Sequence, residues 1–191
     1  MSTIRAAMLL LVLPAALAAQ SAPAPTVNPV LTAFQNRITA LHRNLAAAFD
    51  SIPSSKYGFK PTPVQQTVGY VAQHLATDSY FFCSNFGASK PTIPADETAT
   101  ADTVKATWPK ETLVAKMKAS FAYCAGAFAQ LDDAKLADAI TVTFNGNSRP
   151  STRANMVLGH ALDLADHYSQ VANYMRLNGL IPPTALPRPR Q

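Results

Sequence analysis

HALDLADHYSQVANYMRLNGLIPP, residues 160–183, carries the pattern on which the fold turns. Counted at about 100° per residue, Met156, His160, Asp163, His167, Gln170 and Tyr174 fall within roughly a third of a helix circumference. Val157, Leu164, Val171 and Met175 adjoin them. A row of ionisable groups beside an apolar stripe is not a solvated face, and burying it is costly unless the groups pair or hold a metal. The helix is predicted to begin near Ser151 or Thr152, after Pro150, and to end at Asn178-Gly179. Glycine suits the left-handed stop there, and Pro182-Pro183 prevents continuation.

Outward from this stretch, the fifteen prolines of the 191-residue chain fall between elements, leaving Pro-free windows at 30–52, 64–90, 110–149 and 151–181. In the first, Leu31, Phe34, Ile38, Leu41, Leu45, Phe49 and Ile52 recur at steps of three and four, the stripe of an amphipathic helix. The second opens with Thr62-Pro63-Val64-Gln65, read as a cap, a first-turn proline and a capping box, with Val64, Val68, Val71, Leu75 and Phe82 facing inward. The third helix is expected over about 110–131, with Leu113, Met117, Cys124, Phe128 and Leu131 aligned. Ala139 to Phe144 is β-branched and reads as a short extended piece for which no pairing partner is evident. Four amphipathic helices without strand alternation elsewhere predict an all-α four-helix bundle.

On the second helix His74 and Asp78 lie beside Val71, Leu75 and Phe82, so two helices aim imidazoles and carboxylates inward. Asp163 and His167, four residues apart, share one helix face and can share one divalent ion. His160 lies seven residues before His167, about 10 Å along the axis, and is expected as an outer partner of Asp163. With His74 the set is two histidines and a carboxylate, which leaves positions open for water or substrate. Hydrogen-bonded core histidines give the same spacing, and both readings stay open. His42, at the edge of the first stripe, is read as a satisfied, partly buried histidine; Trp108 as an anchor before the third helix; Ser120 as small-residue packing. No GxSxG, P-loop, GxGxxG, HExxH or CxxCH motif occurs.

Apolar residues make up 48% and charged residues 14%, which excludes a disordered tail or a disulfide-dense mini-protein. The sixteen Lys and Arg against eleven Asp and Glu are scattered, so the formal +5 does not form a nucleic-acid surface. Met1 to Arg5 carries one positive charge, Ala6 to Ala18 is apolar, and Ala16-Leu17-Ala18 is a small-x-small site, which together read as a secretory signal over 1–18. The apolar stretch is shorter than the roughly 20 residues that span a bilayer, and no membrane anchor is expected. A Pro/Ala linker over 19–29, a bundle over 30–183 and a Pro/Arg tail over 184–191 complete the expected organisation, in a periplasmic or secreted protein. Export to an oxidising compartment and an even cysteine count favour a structural disulfide between Cys83 and Cys124.

Residues 160–183, with VGYVAQHLATDSYFFCS at 68–84, resemble the DinB-like superfamily of four-helix bundles, which includes metal-dependent thiol transferases and related hydrolases and isomerases. His74 and His167 match the first and last histidines of that family's metal triad, and Asp163 stands where the middle ligand is usually histidine. The resemblance implies a divalent metal, zinc or nickel, held by His74, Asp163 and His167, with His160 and Asp78 behind them. It implies a small-molecule substrate, a thiol among the candidates, and a homodimer. Two functions follow: an exported metal-dependent transferase or hydrolase, or a non-catalytic exported bundle whose metal site has degenerated.

Overall fold

The computed structural model describes residues 27–87 and 90–187; the expected signal segment, most of the linker and the end of the tail lie outside the described residues. Four long helices form the bundle: α1 (Pro29–Ser51), α2 (Val68–Cys83), α5 (Lys110–Phe128) and α6 (Arg153–Leu177). Two short helices, α3 (Ala95–Ala99) and α4 (Asp102–Lys105), fill the connection from α2 to α5. Around the bundle α2 contacts α5 and α6, and α1 contacts the same two, so α2 and α6 are neighbours. That adjacency brings the polar rows of α2 and α6 together.

The stripes read from the sequence are the core. Ile38, Leu45, Phe49, Val71, Leu75, Leu113, Met117, Leu164 and Val171 are all essentially inaccessible. Pro29 occupies the first turn of α1, whose free amides are satisfied from a distance: Val30 N and Leu31 N donate to the Asp133 carboxylate at 3.1 and 2.7 Å. Thr152 caps α6 by accepting from Asn155 N at 3.2 Å. Gly179, at φ 73°, lets Leu180 N reach back to Met175 O at 2.9 Å and closes the helix as predicted. Just beyond it, Tyr168 Oη donates to Thr184 Oγ1 at 2.9 Å and accepts from Thr184 N at 3.0 Å.

Two expectations are corrected. The second helix does not start at Pro63: Thr62 Oγ1 meets Gln65 Oε1 at 3.1 Å within an isolated turn, and Thr67 is the cap, accepting from Tyr70 N at 3.1 Å. Val64 is therefore exposed rather than inward. The reason is the close approach at Gly69, whose N–H donates to Tyr57 O at 2.9 Å and which leaves no room for a Cβ beside the Ala106 carbonyl oxygen. The second correction is a partner for the extended piece. β1 (Ala139–Phe144) pairs antiparallel with β2 (Asn147–Thr152) in a two-stranded hairpin, with Phe144 opposite Asn147. Asn145 and Gly146, at φ 50° and 76°, make the two-residue turn. Pro150 is tolerated because a two-stranded ribbon leaves it an edge without a bonded neighbour.

Candidate metal centre

α2 contributes His74 and Asp78, and α6 contributes Asp163, His167, Gln170 and Tyr174. Each lies one or two helical turns from the next on its own helix, so the bundle packing alone sets the site. One ligand atom each from His74, Asp163 and His167 lie within 4.8 Å of one another. The His74 and His167 rings meet edge to face with centroids 4.8 Å apart. All three residues are partly buried. The sequence-predicted ligands are thus brought together across the α2–α6 contact.

A chain of hydrogen bonds fixes His167. Tyr174 Oη donates to the Gln66 carbonyl at 3.1 Å, and a carbonyl can only accept. Tyr174 Oη therefore accepts from Gln170 Nε2 at 3.0 Å, which turns Gln170 Oε1 toward His167 Nδ1 at 2.9 Å. His167 must carry its proton on Nδ1, and its Nε2 faces Asp163 Oδ1 at 3.5 Å. In the neutral ring that nitrogen presents a lone pair to a carboxylate, so the contact is favourable only with a proton or a cation between them. Burial works to lower the His167 pKa, and the hydrogen bonds the ring donates to Asp163 and Gln170, with the Asp163 and Asp166 charges, outweigh it and raise it.

Asp163 Oδ2 is buried and has no hydrogen-bond partner among the described residues. An unpaired buried carboxylate oxygen is costly, and a bound cation relieves it. His74 is kept neutral first by burial and then by His167, both of which lower its pKa, so it is free to act as a ligand. Its Nε2 lies 3.3 Å from Asp78 Oδ2. Burial first, and then the Asp163 charge, push the Asp78 carboxyl up to about 7. Two imidazoles, one carboxylate and supporting groups behind two of them fit a divalent ion bound through nitrogen and oxygen. Tyr70, whose ring lies against His74 at 6.1 Å, also lines a cavity of about 670 Å³ together with Gln66, Trp108 and Glu111.

His160 is not at this site. It is fully buried, and its Nε2 lies 3.3 Å from His42 Nε2, across to α1, rather than on Asp163. The same nitrogen is 3.7 Å from Cys124 Sγ. His42 in turn stacks on Phe121, with centroids 3.9 Å apart and planes 9° from parallel. Sequence spacing placed His160 by its neighbours on its own helix, whereas the partner that decides its role comes from α1. Cys83 and Cys124 are bonded to each other, with Cα atoms 5.2 Å apart. Ser120 is buried and donates to Met117 O at 2.8 Å, a packing residue as read. Trp108 packs against the core before α5, with Lys116 Nζ 5.0 Å over its ring.

These features define a four-helix bundle with a candidate two-histidine, one-carboxylate centre between its second and last long helices. The sequence profile of the DinB superfamily matches residues 37–171, and the chain belongs to that superfamily. Among solved structures, a DinB-like protein from Bacillus cereus superposes with a TM-score of 0.60 at 18% identity, covering 80% of this chain and 95% of that one. A conserved protein from Enterococcus faecalis superposes with a TM-score of 0.59 at 17% identity, covering 78% of this chain and 96% of that one. At such identities the likeness is one of fold. No protein of curated function matches the chain.

Proposed function

We propose that the protein is an exported, divalent-metal-dependent transferase or hydrolase whose ion is held by His74, Asp163 and His167. The observation that carries the reading is a buried, unpartnered Asp163 Oδ2 beside a His167 Nε2 that lies 3.5 Å from the other oxygen of the same carboxylate. A divalent ion bound there supplies Lewis acidity and lowers the pKa of a coordinated water or thiol. Gln170, Tyr174 and the Gln66 carbonyl hold the His167 ring in its ligating tautomer. Asp78 places a second carboxylate on the facing helix, its Oδ2 3.3 Å from His74 Nε2. The substrate is proposed to be a small molecule, a thiol among the candidates.

Metal analysis of untagged protein, purified without chelator, tests this: about one zinc or nickel per chain is expected, and His167→Ala should lose it while keeping its helical signal. A metal-free wild type that takes up neither ion would favour the second reading, a non-catalytic bundle in which the pairs His74–Asp78 and His167–Asp163 satisfy one another. Export is supported by the segment Ala6–Ala18 with Ala16-Leu17-Ala18, and by a bonded cysteine pair of the kind oxidising compartments favour. The mature chain should begin near Ala19, and a mass that retains Met1 would refute export with cleavage.

A further inference from the structure

A second group of ligand-type side chains lies deeper in the bundle and is independent of the centre proposed above. His42 of α1, Cys124 of α5 and His160 of α6 present ligand atoms all within 4.8 Å of one another, and Cys83 of α2 is bonded to Cys124. All four long helices therefore contribute one residue each to this cluster. Cys83, Cys124 and His160 are inaccessible to solvent.

We propose that reduction of the Cys83–Cys124 bond converts this cluster into a buried Cys2His2 site for a tetrahedral divalent ion of the zinc type. The spacing carries the argument. Bonds of about 2.0–2.1 Å to nitrogen and 2.3 Å to sulfur, at tetrahedral angles, separate two nitrogens by about 3.3 Å and a nitrogen from a sulfur by about 3.6 Å. The two Nε2 atoms are 3.3 Å apart, and His160 Nε2 is 3.7 Å from Cys124 Sγ. His160 thus stands close to ligand spacing from both His42 and Cys124 already, and the His42 and Cys124 ligand atoms lie within 4.8 Å of each other. The fourth, Cys83, needs only the separation of two sulfurs that follows when the bond between them is broken, since its Cα is 5.2 Å from that of Cys124.

Charge favours the same outcome. Burial holds the His42 ring pKa down to about 4; burial, and then His42 itself, hold that of His160 to about 3. Both imidazoles are therefore neutral near pH 7, and the one proton held between their Nε2 atoms must move to an Nδ1 before both nitrogens can bind an ion. The site stays closed while the cysteines are bonded, because a disulfide sulfur is not a thiolate. A dithiol reductant delivers two electrons and two protons to the sulfur–sulfur bond, giving two thiols while it is itself oxidised to a disulfide. On metal binding each thiol releases its proton to solvent, and two thiolates balance the double charge of the ion. A neutral complex is the one that a buried core accepts without a large desolvation cost. The Phe121 face stacked on His42, and Phe82 and Phe86 beside His160 at 5.6 and 6.1 Å, fix the ring planes before any ion arrives.

The test uses untagged mature protein, a phosphine reductant under anaerobic conditions, and Co2+ as the spectroscopic probe. Reduced protein is expected to bind one Co2+ per chain beyond the oxidised form, with a thiolate-to-cobalt charge-transfer band and the intense visible bands of tetrahedral cobalt. The His74, Asp163 and His167 centre has no sulfur and cannot give the first of these. His42→Gln should weaken the sulfur-bound cobalt at least about tenfold, and Cys83→Ser with Cys124→Ser should abolish its charge-transfer band. Reduced wild type that is folded, has two free thiols and shows no thiolate band with cobalt would overturn the proposal, as would an unchanged affinity in His42→Gln. If reduction unfolds the chain, Zn2+ must restore the helical signal, because metal binding is then folding free energy; failure to restore it would equally overturn the proposal.

Discussion

Replacing His42 by glutamine should change the pH dependence of stability by an amount that the buried ring sets. Folded His42 titrates near 4 against 6.5 in the open chain, lowered by burial. Between those values the unfolded chain binds the extra proton, so the contribution of His42 is fully present above pH 6.5 and is lost as pH falls toward 4. The gap corresponds to about 3 kcal/mol at roughly 1.4 kcal/mol per pH unit, of which between about 2 and 3 kcal/mol is lost by pH 4.5. Asp78 acts in the opposite sense over part of this range. Its folded carboxyl takes a proton near 7 against 3.8 unfolded, so its contribution grows as pH falls from 7 toward 3.8. The wild-type curve mixes these two with His160, which burial and then His42 hold down to about 3, and the informative quantity is wild type minus variant. Urea denaturation followed by circular dichroism should show His42→Gln less stable at pH 7.5 by about 1 kcal/mol, the stacking on Phe121 being lost. By pH 4.5 that deficit should vanish or reverse. A deficit that is the same at both pH values, within about 0.5 kcal/mol, would refute a neutral buried His42.

Gly69→Ala should destabilise the fold by about 2 kcal/mol, because the new Cβ meets the backbone oxygen of Ala106, which cannot swing aside. Gly126→Ala, where nothing lies within 4 Å, should instead gain up to about 1 kcal/mol from helix propensity; thermal melts of the two variants should shift in opposite directions. Joint replacement of Cys83 and Cys124 by alanine should cost about 2–4 kcal/mol by denaturant titration, since it opens a 41-residue loop in the unfolded chain.

How much was legible before the structure follows from which interactions were local. The stop at Asn178-Gly179, the cap at Thr152 and the apolar stripes depend on spacing along one helix, and each is where periodicity placed it. His74, Asp163 and His167 could be nominated because each faces the apolar stripe of its own helix, and the α2–α6 contact does the rest. Two signals were present but outweighed. Asn145-Gly146 marks a hairpin turn, yet the strand after it is polar and contains Pro150, so its partner was not recognised. The start of α2 was drawn to the capping pattern at Thr62, whereas the contact of Gly69 with Ala106, remote in sequence, selects Thr67. His160 shows the limit most clearly, for its position three residues from Asp163 suggested a partner that tertiary packing replaced with His42. A histidine on an inward stripe of α1 facing one on α6, with both cysteines inward on α2 and α5, was the available signal for the second cluster.

Asp163 bears most directly on whether the proposed centre does chemistry. Internal pairing accounts for Oδ1, which sits 3.5 Å from His167 Nε2, and for His74, whose Nε2 meets Asp78. It leaves Oδ2 of the same carboxylate buried and without a partner. An asparagine or an apolar residue there would carry no such desolvation cost, which a bound cation would offset for the aspartate. A carboxylate in the middle position also changes what the centre can do. With two neutral imidazoles it leaves a divalent ion at a net charge of one, where three imidazoles would leave two, so a coordinated water is less acidified and a group that accepts its proton gains importance. Asp78, whose Oδ2 lies 3.3 Å from His74 Nε2, is the carboxylate on the facing helix placed nearest to that role. Were the ion held as proposed, the lower charge at its ligands would be met by a second carboxylate, Asp78, within one hydrogen bond of His74.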